Sequence, residues 1–333
     1  MVYSAQRGVR DKAIMMKSFI KLMWFPLLLA TLVPAIWHQQ PYILSMFTDA
    51  LTIGALALAW AMLGNLGGMV SFGHSAFFGT GAYISSMLAM NSGMPVLLSM
   101  LCGGLAAALT TLLMLPTLRL KGTYFALAIL AYSQIFRVLA MQLEGITGGS
   151  AGLSGIPTLP VVMGFALNSK LGVYYVILAL LTLFLLIYTV LARSDYGLAL
   201  KAMHDSEAAT QVVGVNSLLL KALVLLLSAF MTGLVGAFNA HHMNFLEPDY
   251  AFNASWVIVP IIAAIFGGFR SLNGPLVGAL VVYLTDQLLF KVLFPTGNLM
   301  ILGGLLVAII LISPRGLLPL LHSAQRRFYR AKA

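Results

Sequence analysis

Acidic side chains are scarce in this chain: nine Asp and Glu among 333 residues, against nineteen Lys and Arg. Cysteine is rarer still. The single Cys102 excludes an intramolecular disulfide, and its place in an apolar run reads as packing. No polar stretch is long enough for a soluble domain, and no GxxxxGK[ST] phosphate loop occurs, which excludes a built-in ATPase. His241 and His242 are adjacent, so they cannot share a helix face as i, i+4 ligands, and no HExxH or Cys/His pair accompanies them. With neither nucleophile nor metal signature, the chain does not read as an enzyme, and no metal or cofactor is expected in it.

Apolar sequence is what the chain has. Hydrophobic residues make up 60% and charged residues 8%, with mean hydropathy +0.96, the composition of a polytopic membrane protein. The fold expected is all-α, with about ten transmembrane helices over residues 22–37, 43–63, 71–90, 96–115, 123–142, 172–192, 219–240, 254–268, 275–294 and 299–312. The third is rich in small residues and the eighth is short, so these two are the candidates for a broken or re-entrant course. With the N-terminus inside, only Arg137, Lys170 and Lys291 of the nineteen basic residues fall outside cytoplasmic segments, which places both termini in the cytoplasm. The net charge of +10 has the same origin and needs no nucleic acid. Residues 1–21 and 314–333 then form basic cytoplasmic tails, the first uncleaved, around a transmembrane unit at 22–313.

The longest polar interruption after the N-terminal tail is 193–221, cytoplasmic in this layout. It reads as a short helix over about 196–203, a break at His204, and a second helix. Asp205 is the expected N-cap, Glu207 suits the first turn, and Gly214 supplies the left-handed stop. Ala208 and Ala209 would offer a surface another protein can approach closely. On the outer side, 143–171 is rich in Gly and Pro and predicts an ordered, turn-rich loop, and 241–253 is polar and aromatic. Together they would form an external mouth.

Ionisable groups within spans are costly unless paired or hydrated. Arg137 and Lys291 lie towards outer ends and can snorkel; Asp49 and Asp286 would pair with them or line a water-filled path. Ser71 and Ser75, with His74 beside them, would share one face of the third span, and with Tyr83 they are candidates for a solute path. Glycines at 64, 68, 73, 79, 81, 274 and 278 mark close helix packing, and GG-x-x-S occurs at both 67–71 and 267–271, the trace of an internal repeat.

EAATQVVG within the cytoplasmic loop resembles the coupling loop of ABC-importer permeases. With SFGHSAFFGTGAY at 71–83, LRLKGTYFALAILA at 118–131, ITGGSAGLSGIP at 146–157, FGGFRSLNGPLVGA at 266–279 and PRGLLPL at 314–320, the chain is similar to the branched-chain amino acid ABC-transporter permeases, of the type that pairs with a second permease. The resemblance implies a bacterial inner-membrane subunit working with a homologous permease, two ATPase subunits that bind the ATP, and a periplasmic solute-binding protein. It implies docking of the ATPase on Asp205, Glu207, Ala208, Ala209 and Gly214. Gln134 stands where that family usually has an acid, which leaves Arg137 without its expected partner. Related branches carry urea, short amides or aromatic carboxylates. A stand-alone channel or ion-coupled carrier is the competing class; it would need no EAA-type loop.

Overall fold

A computed structural model describes residues 25–162, 164–293, 297–312 and 316. The tails 1–21 and 317–333 lie outside the described residues. The long helices are α1 (Phe25–Trp37), α2 (Pro41–Gly67), α3 (His74–Asn91), α4 (Val96–Met114) and α5 (Thr123–Gln142). A one-turn α6 (Glu144–Thr147) precedes α7 (Lys170–Arg193), the short pair α8 (Asp195–Asp205) and α9 (Glu207–Val212), and α10 (Ser217–Met243). The one-turn α11 (Pro248–Ala251), α12 (Ser255–Gly267), α13 (Gly274–Thr285), α14 (Lys291–Leu293) and α15 (Asn298–Ile312) complete the described order.

Among the described residues, seven segments are long and apolar enough to cross a membrane: Pro41–Gly67, Val96–Arg119, Thr123–Gln142, Lys170–Arg193, Ser217–Met243, Pro248–Gly267 and Gly274–Leu293. The protein is therefore an all-α polytopic membrane protein. Helices also stand at the other three expected spans, as α1, α3 and α15, but these are shorter or less apolar. For α3 the reason is visible. Twelve of its eighteen residues are buried against protein, so small and polar side chains replace the leucines that lipid would demand.

α2 is the axis. Pro41 fits its first turn and a run of Ala and Leu extends it, with nineteen of its 27 residues buried. It packs against α7, α10, α12 and α13. It ends where Gly68 turns left-handed (φ 64°) and its N–H reaches the Leu63 carbonyl. Gly268 ends α12 in the same region (φ 100°), so the two GG-x-x-S segments share a helix stop. They differ in packing: α12 and α13 lie side by side, whereas α2 and α3 diverge with α10 between them.

α3, α4 and α10 cross at glycine. A Cβ on Gly81 would lie 2.2 Å from the Gly233 carbonyl oxygen, and one on Gly103 would lie 2.5 Å from that of Gly81. Only glycine admits this approach. The eighth expected span, 254–268, is the single short helix α12 with Pro260 inside it, and α11 precedes it in the expected loop 241–253. The ninth is continuous through a π-helical turn at Asp286–Phe290.

The loops 143–171 and 241–253 are built as one unit. Strand β1 (Leu153–Ser154) pairs antiparallel with β4 (Phe245–Leu246), stitching 143–171 to 241–253, while β2 (Val161–Val162) pairs with β3 (Phe165–Ala166). His241 reinforces the stitch: its Nδ1 lies 2.7 Å from the Pro157 carbonyl and its Nε2 2.9 Å from the Ser85 hydroxyl.

Candidate functional site

The polar interruption folds as α8 and α9 at one end of the bundle. Ser194 caps α8 by accepting from the Gly197 N–H at 3.2 Å. Gly197, Leu200 and Met203 bury one face of α8, leaving Tyr196 and Leu198 exposed on the other. The expected break and cap are corrected by one or two residues. α8 continues through His204 to Asp205, and Ser206 rather than Asp205 caps α9, its extended backbone aiming the hydroxyl at the Ala209 N–H, 3.3 Å away. Gly214 is left-handed (φ 87°), as expected.

Glu207 does more than face the N-terminal amides of α9. It accepts from Lys221 Nζ of α10 at 2.7 Å, and this bond holds its carboxyl below the ordinary glutamate range. Gln211 donates to Ser217 at 2.8 Å, a second tie between α9 and α10. The Lys221 pairing was absent from the sequence reading, although both residues lie in the same polar stretch. Held this way, α9 presents Ala208, Ala209 and Val212 outwards, with Asp205 and Val213 exposed on either side of it. Val212 is 87% exposed.

The other side of the loop meets the bundle axis. His204 lies against the α2–α3 turn, where a Cβ on Gly68 would come within 2.9 Å of its ring. Two clefts flank this contact. One of 570 Å³ is lined by Gly68, Lys121, Glu207 and Lys221; the other, of 610 Å³, by Trp60, Lys201, Asp205 and Arg270.

Ser71, His74 and Ser75 are all buried. The expected helical face joining Ser71 to Ser75 does not form, because α3 begins at His74 with Gly73 as its cap and Ser71 lies outside it. Instead a polar chain crosses three helices. Ser228 donates to the Ala59 carbonyl of α2 at 2.9 Å, so it accepts from His74 Nε2 at 2.8 Å; His74 Nδ1 then accepts from Ser71 at 3.0 Å. Both imidazole nitrogens are used. Tyr83 differs: it is buried, its hydroxyl has no hydrogen-bond partner among the described residues, and its ring stacks on Phe252 with centroids 6.1 Å apart.

The intramembrane charges pair as expected at Asp286 and differently at Asp49 and Arg137. Lys291 lies 3.8 Å from Asp286, and Asp49 accepts from Tyr283 at 3.0 Å. Arg137 turns to neither acid: its Nε donates to Asp249 at 2.7 Å, in the stitched outer loop. Among the described residues, no group of three or more His, Cys, Asp or Glu could hold a metal ion.

The described residues thus form an apolar helical bundle with a small helical pair pinned at one end. The family described as "Branched-chain amino acid transport system / permease component" matches residues 42–310, and the chain belongs to that family of ABC-transporter permeases. It is 28% identical to the high-affinity branched-chain amino acid transport system permease protein LivM of Escherichia coli, over 88% of this chain and 74% of that one. It is 24% identical to BraD of Pseudomonas aeruginosa (86% and 97%) and 21% identical to LivH of Escherichia coli (84% and 97%). No solved structure matches.

Proposed function

We propose that this chain is one of two permease subunits of an importer for branched-chain amino acids in the bacterial inner membrane. In this reading it crosses the membrane ten times between two basic cytoplasmic tails, 1–21 and 314–333. The domain between them, 22–313, contains the coupling loop 193–221. The partners are a homologous permease, two ATP-binding cassette subunits that hold the ATP, and a periplasmic binding protein. The chain itself carries no cofactor and catalyses no reaction.

The observation that carries the reading is α9: a short helix with small and apolar residues outermost, fixed to α10 by Glu207–Lys221 and Gln211–Ser217. A surface that moves with a partner has to be tied to what it drives. A push on Ala208 and Ala209 passes through those two ties into α10, which packs on α2, α3 and α4. A parallel route runs from α8 through His204 into the end of α2.

The test is the complex reconstituted with both permeases, the ATPases and the binding protein. Ala209→Trp places bulk on the docking face, and Gly214→Val forces a β-branched residue into a left-handed turn, at a cost of about 1–2 kcal/mol. Both should insert normally and lose at least ~10-fold of binding-protein-stimulated ATPase and leucine uptake, the scale of one interface hot spot. Full uptake in both would refute the docking role, and leucine flux through this chain alone would favour a channel.

A further inference from the structure

The exposed polar groups on α5 lie where lipid would penalise them. α5 runs from Thr123 to Gln142, so at 1.5 Å per residue Arg137 sits about 8 Å, and Gln134 about 12 Å, below its outer end. Gln134 is exposed, and the Arg137 and Asp249 side chains are 37% and 60% exposed. Within the hydrocarbon layer such groups face protein or a water-filled cavity. A cavity is present: 340 Å³, lined by Gln134, Arg137, Asp249, Phe252, Asn253 and Ala254.

Its chemistry is that of a zwitterion site. Two guanidinium nitrogens of Arg137 converge on a single oxygen, Oδ1 of Asp249. Nη1 of the guanidinium and Oδ2 of the carboxylate stand outside the pair. A cation and an anion are thus held side by side beside an aromatic ring, with two amide side chains near them. We propose that this cavity is a transit site for the amino acid: its α-carboxylate on Arg137, its α-ammonium on Asp249, and its apolar side chain on Phe252. The assignment rests on the importer reading above.

Low affinity is built in. The solute replaces an existing ion pair with two equivalent contacts, and an exposed pair of this kind contributes only about 0–1 kcal/mol, so it opens and recloses readily. Tyr83, whose ring stacks on Phe252, lies behind the lining of this site.

The experiment uses the whole complex in proteoliposomes, measuring leucine uptake and binding-protein-stimulated ATPase for wild type, Arg137→Gln, Asp249→Asn, the charge swap Arg137→Asp/Asp249→Arg, and Gln134→Leu. Each single charge removal should lower uptake about 10-fold or more, the effect of losing one charge-assisted hydrogen bond, with ATPase stimulation held within about 2-fold. The swap should stay defective, because it presents the charges in the wrong order along the path. Gln134→Leu, at an exposed position without a role in the pair, should fold and lose several-fold of uptake. Recovery of uptake in the swap would show a mere tie between α5 and the outer loop. Loss of ATPase stimulation would show a docking contact for the binding protein, and unchanged uptake in Gln134→Leu and either single variant would exclude transit here. Each of these overturns the proposal. Failure of ATP-driven uptake in wild type would instead overturn the importer reading, and the transit site with it.

Discussion

Glu207 answers to two fields, the N-terminal amides of α9 and the Lys221 ammonium. Only the first is local in sequence. The thirteen residues between Glu207 and Lys221 close a turn whose path depends on Gly214, and no periodicity argument reaches across it. Glu207→Gln should therefore loosen α9 by about 1 kcal/mol, because it keeps a hydrogen-bond acceptor for Lys221 but leaves that part-buried ammonium without its counter-charge. The measurement is hydrogen exchange of amides 206–214 in the assembled protein, which should speed by up to about 5-fold. The pH dependence follows from the lowered carboxyl. A depressed acid contributes stability above its ordinary value of 4.5 and loses it as pH falls through its folded value, lower still. Exchange in this loop should thus be flat across the neutral range and rise only in acid. A midpoint above 4.5 would contradict the pairing. At the same scale His74 shows what sequence left open. Its buried place among small residues was legible, but Ser228 and Ala59, the partners that make it a three-helix tie, lie 154 and 15 residues away.

At the scale of elements, glycine was the most informative residue type and also the one most incompletely read. Gly79 and Gly81 marked α3 as a helix of close approach, and that is how it packs. The complementary glycines, Gly103 on α4 and Gly233 and Gly236 on α10, sit in runs so apolar that they read as ordinary membrane helix. A contact surface between helices is shared, and one side of it alone does not identify the other. Gly81→Leu should break the α3–α4–α10 crossing, since even a Cβ would overlap the Gly233 carbonyl. The expected loss is several kcal/mol, seen as a chain that inserts but does not assemble or survive detergent. Gly304→Ala is the matched control: it has open space around it, helical surroundings and an ordinary backbone, so it should be neutral or stabilise by up to about 1 kcal/mol. Equal behaviour of the two would mean that α3 does not cross its neighbours where the structure places it. The outer loops teach the same lesson in reverse. Their turn-rich order was legible in Gly and Pro, but the β1–β4 stitch was not, because two-residue strands carry no pattern.

For the whole molecule, sequence and structure bear on orientation by independent routes. In the sequence, sixteen of nineteen basic residues gather on one side when ten spans are threaded from a cytoplasmic N-terminus, and Arg137, Lys170 and Lys291 are the exceptions. In the structure, two of those exceptions are matched by acids: Arg137 by Asp249, and Lys291 by Asp286. A basic residue neutralised where it stands exerts little pull towards the cytoplasm, so the asymmetry of the remaining charges is cleaner than the count suggests. α7 spans 24 residues, about 36 Å at the helical rise, and thus sets Arg193 and the α8–α9 pair at the opposite face from Lys170 and the stitched loops. Cysteine placed at Ser206 or Ser150, both exposed, then reports the two faces separately once Cys102 is replaced by Ala. In intact cells an impermeant thiol reagent should label the cysteine at 150 and spare that at 206; in inverted vesicles the pattern should reverse. Labelling of the residue-206 cysteine from outside would put α9 beyond the reach of any cytoplasmic ATPase. The pinned helix would then have nothing to couple to, and Arg137 and Asp249 would open to the cytoplasm as an exit rather than an entrance.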